Sequence, residues 1–200
     1  MIEKQLLAAG ITKIVGVDEA GRGPCAGPLV IASVILKDPL SDALGEIRDS
    51  KELSPAKRER LFEVVIAESA SYSIIEISVD EIDSFGLHKC NIEGMRRAIN
   101  ALKIKPEYVL TDGYAIPGLI TPNLAVWKGD QVAISISAAS ILAKVYRDRI
   151  MIELDKKYPG YGLSGHKGYI TKSHTDAIKE LGVLPIHRRS FSNIAEIINS

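Results

Sequence analysis

The sequence predicts an α/β protein: a sheet flanked by helices, with a helical annex at the C-terminal end. Three observations carry that prediction. Short apolar runs rich in β-branched residues alternate with stretches of helical spacing. Three of the runs stop at a carboxylate accompanied by glycine. Beyond Tyr158 the chain holds only two short helical patterns and loops punctuated by glycine and proline. Two hundred residues, 46% of them apolar, suit one domain of ordinary size. We read it as residues 1–200, with about 158–200 forming the annex.

Each element has its own signal. Ile14-Val15-Gly16-Val17 is a short strand that breaks at Asp18-Glu19 into a glycine-rich turn. Pro28 to Lys37 is almost wholly apolar, the pattern of a strand buried on both faces. Ser54-Pro55 reads as an N-cap with proline at the first helical position. Tyr72 to Val79 returns to strand character, and Cys90 to Leu102 has helical spacing at Ile92, Met95, Ile99 and Leu102. Two further strands, Tyr108 to Thr111 and Leu124 to Trp127, end at Asp112-Gly113 and Lys128-Gly129-Asp130. The longest helix is expected from Val132 to about Lys157, with Ala138, Ala139, Ile141, Leu142 and Val145 buried. Ser173 to Leu181 and Ser192 to Ile198 supply the annex helices; Trp127 and Phe62 are expected in the core.

Composition excludes several classes. The apolar content and balanced charge argue against disorder. The longest uncharged apolar run, Leu29 to Leu36, is far short of the ~20 residues of a membrane span. Cys25 and Cys90 make no disulfide framework and are expected as buried small hydrophobes, which points to a reduced, cytoplasmic setting. Charge is balanced only overall. Residues 144–200 hold 10 Lys+Arg and 6 Asp+Glu, a net of +4; residues 1–143 hold 15 and 19, a net of −4. In the basic part, Lys144, Arg147, Arg149, Lys167, Arg188 and Arg189 are interleaved with His166, Tyr169, His174 and His187. Cations mixed with rings suit a nucleic-acid track, whereas a solvated helix face accounts equally well for Lys156 and Lys157.

The chemistry is expected where the strands end. Ligands of open α/β sheets gather beyond the carboxyl ends of strands. If the three strands are neighbours, Asp18, Glu19, Asp112 and Asp130 converge. Such a cluster repels itself unless a cation neutralises it, and an all-oxygen set suits Mg²⁺ or Mn²⁺. No Cys/His pair has zinc spacing. The Gly21-Arg22-Gly23-Pro24 loop lets backbone groups approach a ligand closely, and Arg22 adds a fork suited to phosphate. It is neither a Walker loop nor a dinucleotide-binding turn, and an ordinary tight bend is the alternative. Lys51, in Asp49-Ser50-Lys51, reads equally as a polar turn or a phosphate contact.

Taken together, these blocks resemble type 2 ribonuclease H, the ribonuclease HII family. The resemblance rests on Gly16 to Pro24, Ala26-Gly27-Pro28 and Asp49-Ser50-Lys51-x-Leu53-Ser54, then on Thr111-Asp112-Gly113 and Lys128-Gly129-Asp130. Ser137 to Asp148, Tyr158-Pro159-x-Tyr161 and His166-Lys167-Gly168-Tyr169 complete it, collinear over about residues 14–190. It implies a ribonuclease H-like mixed sheet flanked by helices. It implies metal-dependent cleavage of RNA in RNA–DNA hybrids and of DNA duplexes 5′ of a single embedded ribonucleotide, leaving 3′-hydroxyl and 5′-phosphate ends. Such cleavage serves ribonucleotide excision in DNA replication and repair.

Carried over residue by residue, Asp18, Glu19, Asp112 and Asp130 are the catalytic carboxylates. They would hold two Mg²⁺ or Mn²⁺ ions with substrate bound, Asp18 bridging them. Gly21, Arg22 and Gly23 would recognise the ribose 2′-hydroxyl, and Tyr169 would pack on the following deoxyribose. Lys51, Lys144, His166, Lys167 and Arg188 would complete the substrate contacts. The family commonly has Gly-Tyr-Gly-Thr where this chain has Gly168-Tyr169-Ile170-Thr171, so the left-handed conformation open to glycine is closed to Ile170. A monomer is expected, with no membrane partner and no recognisable sliding-clamp peptide near Ser200. A nuclease of the same fold with another target, or a non-catalytic hybrid-binding protein, is the alternative.

Overall fold

The computed structural model describes residues 1–47 and 53–199. Lys51 and the rest of the Asp49-Ser50-Lys51 block lie outside the described residues. Helix α1 (Ile2–Ala8) leads into strand β1 (Ile14–Ala20) and strand β2 (Leu29–Leu36). A 3-10 turn at Asp42–Leu44, helix α2 (Pro55–Glu68) and strand β3 (Ser69–Ile77) follow. Helices α3 (Val79–Phe85) and α4 (Leu87–Asn100) precede strands β4 (Tyr108–Asp112) and β5 (Asn123–Val126). Helices α5 (Gly129–Val132), α6 (Ile134–Lys157), α7 (Leu163–His166), α8 (Lys172–Leu181) and α9 (Ser192–Ile198) complete the order.

The five strands form one mixed sheet in the order β3-β2-β1-β4-β5. β1 and β2 pair antiparallel, as do β2 and β3, while β1, β4 and β5 run parallel. All eight residues of β2 are buried, as its uninterrupted apolar run requires of a strand covered on both faces. α6 and α2 cover one face through Val30, Ala32, Val34, Leu61, Val65, Ala138 and Leu142. α4 covers the other through Val15, Val17, Ile31, Met95 and Ile99. Ser54 caps α2 as predicted, its hydroxyl accepting from Lys57 N–H with Pro55 at the first position.

Three details depart from the sequence reading. The long helix expected from Val132 to about Lys157 is one helix that starts two residues later, at Ile134, because Ala133 is extended and Val132 closes the separate short helix α5. Asp130 therefore lies on a helical turn rather than at a strand end. α3 was not anticipated, although it starts with a full capping box between Ser78 and Glu81. Glu3 of α1 is fully buried, and its Oε1 accepts from the Ser135 N–H and hydroxyl, so a remote carboxylate caps the start of α6. Among the described residues no helix is long and apolar enough to cross a membrane.

Candidate active site

Alternation along β1 sends Gly16, Asp18 and Ala20 toward α6, and Val15, Val17 and Glu19 toward α4. Gly16 is where α6 lies directly on the strand: a Cβ there would stand 2.0 Å from the Ser135 carbonyl carbon. The turn expected at Asp18-Glu19 is absent, since β1 keeps its pairing with β2 through Ala20. Its pairing with β4, however, stops at Val17–Thr111. The edge of β1 beyond Val17 is thereby open, and one cavity of about 430 Å³ reaches both faces of the strand end. Asp18, Glu19, Asp112, Gly21, Arg22 and Gly23 line it together with Arg58, Ser140, Lys144, Arg147 and Tyr169.

The carboxylates are electrostatically poised. Burial raises Asp18 well above the carboxylate range, and the charges of Glu19 and Asp112 raise it further, against hydrogen bonds from Glu19 N–H and Ser140. Burial pushes Glu19 up to about 7, opposed by Arg22, whose Nη1 is 3.6 Å from Oε1, and by Asn91. Glu19 Oε2 is buried and has no hydrogen-bond partner. Asp112 Oδ1 accepts from Gly129 N–H at 2.8 Å, which ties β4 to α5. Asp130, next in the chain, is buried with its carbonyl held by the Ser137 hydroxyl at 2.5 Å. It is not among the residues lining the cavity.

Among the described residues, no three carboxylate, imidazole or thiol groups surround one point closely enough to enclose an ion. The donor chemistry nevertheless fits a hard divalent cation. It is all oxygen, includes an unpartnered buried Glu19 oxygen, and carries repulsion that a cation would relieve.

The basic wall contains buried Arg147, backed by a second buried arginine, Arg188, which does not itself line the cavity. Arg147 donates to the carbonyls of Pro28, Lys167 and Ala26 at 2.9–3.0 Å. Arg188 donates to Gly27, Arg22 and Gly21 at 2.7–3.2 Å. Burial lowers Arg147 to about 10 and Arg188 to about 9, so both remain charged at neutral pH. Arg188, predicted as a substrate contact, is instead fully buried with its fork spent on the glycine loop. Gly21, at φ +101, passes so close that a Cβ would stand 2.1 Å from Arg147 Nε.

A chain of imidazoles fixes the second loop. Leu184 N–H donates to His187 Nδ1 at 2.8 Å, which leaves the His187 proton on Nε2. That proton faces His174 Nε2 at 3.2 Å, so His174 carries its own on Nδ1 and donates to the Tyr169 carbonyl at 2.9 Å. Burial and the neighbouring His174 hold His187 down to about 4. His166, another predicted substrate contact, stacks on His174 at 4.2 Å. Both of its nitrogens are engaged, Nδ1 accepting from Gly168 N–H and Nε2 facing the Tyr161 carbonyl. His174 and His187 thus belong to the support of the loop rather than to a stacking track.

Tyr169 and Lys144 do stand in the cavity wall. Lys144 Nζ is 2.7 Å from Asp148 Oδ1. Lys167 joins Lys144, Arg58 and Tyr169 around an adjoining cavity of about 430 Å³. The left-handed residues here are Lys167 at φ 51 and Gly168 at φ 81, and Ile170 needs no such conformation. Asn91 and Arg58 were missed. Asn91 was signalled only as an amide inside the apolar stripe of α4, and Arg58 had no signal beyond its helix. Trp127, expected in the core, is 82% exposed because β5 is the sheet edge. Phe62, Cys25 and Cys90 are buried as expected.

A mixed sheet with a helix on each face, and carboxylates where the parallel strands end, defines a ribonuclease H-like protein. The crystal structure of ribonuclease H2 from Pyrococcus horikoshii OT3 superposes with a TM-score of 0.84 at 31% identity, covering 94% of this chain and 97% of that one. Bst-RNase HIII, solved in complex with Mn²⁺, shares the fold at a TM-score of 0.71 and 17% identity, over 94% of this chain and 69% of its own. The family model for ribonuclease HII matches residues 15–194. Ribonuclease HII of Salinispora tropica is 51% identical over 196 residues, 98% of this chain and 73% of its own. The chain belongs to the ribonuclease HII family and is a ribonuclease H enzyme.

Proposed function

We propose that the enzyme hydrolyses the RNA strand of RNA–DNA hybrids and nicks duplex DNA on the 5′ side of a single embedded ribonucleotide, leaving 3′-hydroxyl and 5′-phosphate ends. The observation that carries this reading is one cavity walled by Asp18, Glu19 and Asp112, the Gly21–Gly23 backbone and the Tyr169 ring. The 2′-hydroxyl is what distinguishes RNA from DNA at a single nucleotide. Backbone groups of the Gly21–Gly23 loop can meet it without reading the base, so cleavage is largely independent of sequence. Tyr169, half exposed at the cavity, packs on the deoxyribose that follows. Lys144, Lys167 and Arg58 meet phosphates along the same trough.

Asp18, Glu19, Asp112 and Asp130 would hold Mg²⁺ or Mn²⁺, two ions once substrate adds its phosphate oxygens. The chemistry such ions supply when bound is activation of water and neutralisation of phosphate charge. The chain's own contribution is placement. Gly129 N–H fixes Asp112, Ser140 and the Glu19 N–H steady Asp18, and Arg188 with Arg147 hold the glycine loop against them.

The test is cleavage of a duplex with one ribonucleotide, read at nucleotide resolution in Mg²⁺ and in Mn²⁺. Asp112→Asn should lose about a thousandfold or more in rate, and the wild type should cut 5′ of the ribonucleotide while sparing an all-DNA duplex. Equal cleavage of the all-DNA duplex would identify a different target. Binding without cleavage in either metal would identify a non-catalytic hybrid binder.

A further inference from the structure

On the far side of Glu19, Arg22 and Asp112 from Tyr169 lies a second cavity of about 320 Å³, completed by Gly113, Tyr114, Trp127 and Lys128. It meets the carboxylate cavity at those three shared residues. Trp127 is the only tryptophan in the chain, and its ring is 82% exposed. A large apolar ring left in water at the rim of a charged cavity is a feature that packing does not account for. The Tyr114 face is already taken, with the Arg22 guanidinium 4.5 Å above it. Trp127 is the free ring.

The two ends of the trough are built alike. Among the described residues only Lys128 and Lys167 have a positive φ without being glycine, at 53° and 51°. Each sits beside the exposed aromatic of its end, Lys128 after Trp127 and Lys167 two residues before Tyr169. Holding a lysine left-handed is uncommon for a residue with a Cβ. It occurs here at both ends of the one groove that carries the carboxylates.

We propose that Trp127 and Lys128 form a nucleotide subsite for the cleaved strand on the 5′ side of the scissile phosphate. The ring packs on the sugar of that nucleotide and the ammonium meets its phosphate. The polarity rests on the function proposed above. If Tyr169 holds the deoxyribose after the ribonucleotide and the carboxylates face the phosphate before it, the next station beyond them belongs to the preceding nucleotide.

The single tryptophan makes the test direct. The wild-type protein, in EDTA so that nothing is cut, is titrated with two duplexes carrying one ribonucleotide. In one the cleaved strand extends several nucleotides 5′ of it; in the other the strand begins at the ribonucleotide. Binding is followed independently by anisotropy of a dye at the 3′ end. Trp127 emission should be quenched by the extended duplex and unchanged by the recessed one. Trp127→Ala should raise KM for the extended duplex about 5- to 20-fold with kcat little changed, and Trp127→Phe should recover most of the loss. Lys128→Asn, which tolerates a left-handed backbone, should lower the salt slope of binding by about one.

Anisotropy that reports binding while Trp127 emission stays unchanged would overturn the subsite. Equal quenching by both duplexes would overturn its placement on the 5′ side. Wild-type cleavage that ignores the ribonucleotide would instead overturn the underlying function, whichever way the fluorescence falls.

Discussion

The two walls of the cavity treat their polar groups in opposite ways. At the strand ends the charges of Glu19 and Asp112 add to burial in raising Asp18, that of Asp112 adds to burial in raising Glu19, and a buried oxygen of Glu19 has no hydrogen-bond partner. Across from them, Arg147 and Arg188 are each buried and each donate to three different backbone carbonyls, while His187 and His174 pass a single hydrogen-bond direction on to Tyr169. The difference separates two tasks. The acidic wall keeps an unpartnered Glu19 oxygen and crowded charge, and so it has something to gain from a cation. The arginines of the basic wall engage every nitrogen of their forks with a backbone carbonyl, so they act by shape, holding the Gly21–Pro28 turn and the Tyr169 loop at a set distance. A buried arginine without a carboxylate partner is tolerated because carbonyl oxygens satisfy its donors.

Removing a support should therefore cost more stability than removing a repelling carboxylate. The largest stability effect is expected from Arg188→Met, which strands the Gly21, Arg22 and Gly27 carbonyls. A loss of about 3 kcal/mol, roughly 6–12 °C in Tm, should be seen by thermal melting. Arg188→Lys, which cannot reach three carbonyls at once, should fall between. A neutral result would mean that the glycine loop holds its shape unaided.

A smaller effect separates the walls by pH. His187 is held near 4 in the fold against about 6.5 unfolded, so its contribution is present above pH 6.5 and lost as pH falls toward 4. His174 shifts in the same direction. His166, Cys25, Tyr161 and Arg188 surround the pair, and none supplies a carboxylate to hold an added proton. His187→Asn should be less stable than wild type at pH 7 by about 1–2 kcal/mol, and the gap should close between pH 6.5 and 4. A gap constant with pH would show that the imidazole acts by packing alone.

Much of this was legible in the sequence, for reasons that residues make plain. β2 announced itself because a strand covered on both faces has no polar positions to spare, and α2 because serine and proline mark its start. The carboxylates were readable because Asp112 ends β4, Asp130 follows β5 closely, and Asp18 and Glu19 stand just past the last parallel pair of β1. What escaped was set by three-dimensional neighbours. Arg188 and His166 look like contacts in a basic sequence and become supports only because Gly21, Gly27 and Gly168 fold against them. Trp127 looked like core because its run is apolar, and the edge position of β5 left it outside. Asn91 meets Glu19 from the helix that covers that face of the sheet, a pairing that no local pattern encodes.

The claim that the acidic wall is strained for cation binding is tested most directly by melting Asp18→Asn beside the wild type, in EDTA and in Mg²⁺. A carboxyl raised in the fold lowers stability as pH climbs above its unfolded value, so removing its charge should help most at neutral pH and above. Asp18→Asn should melt higher than the wild type in EDTA, gain little from Mg²⁺ where the wild type gains clearly, and cleave nothing. A variant that melts lower than the wild type in EDTA, and is stabilised by Mg²⁺ as the wild type is, would contradict it.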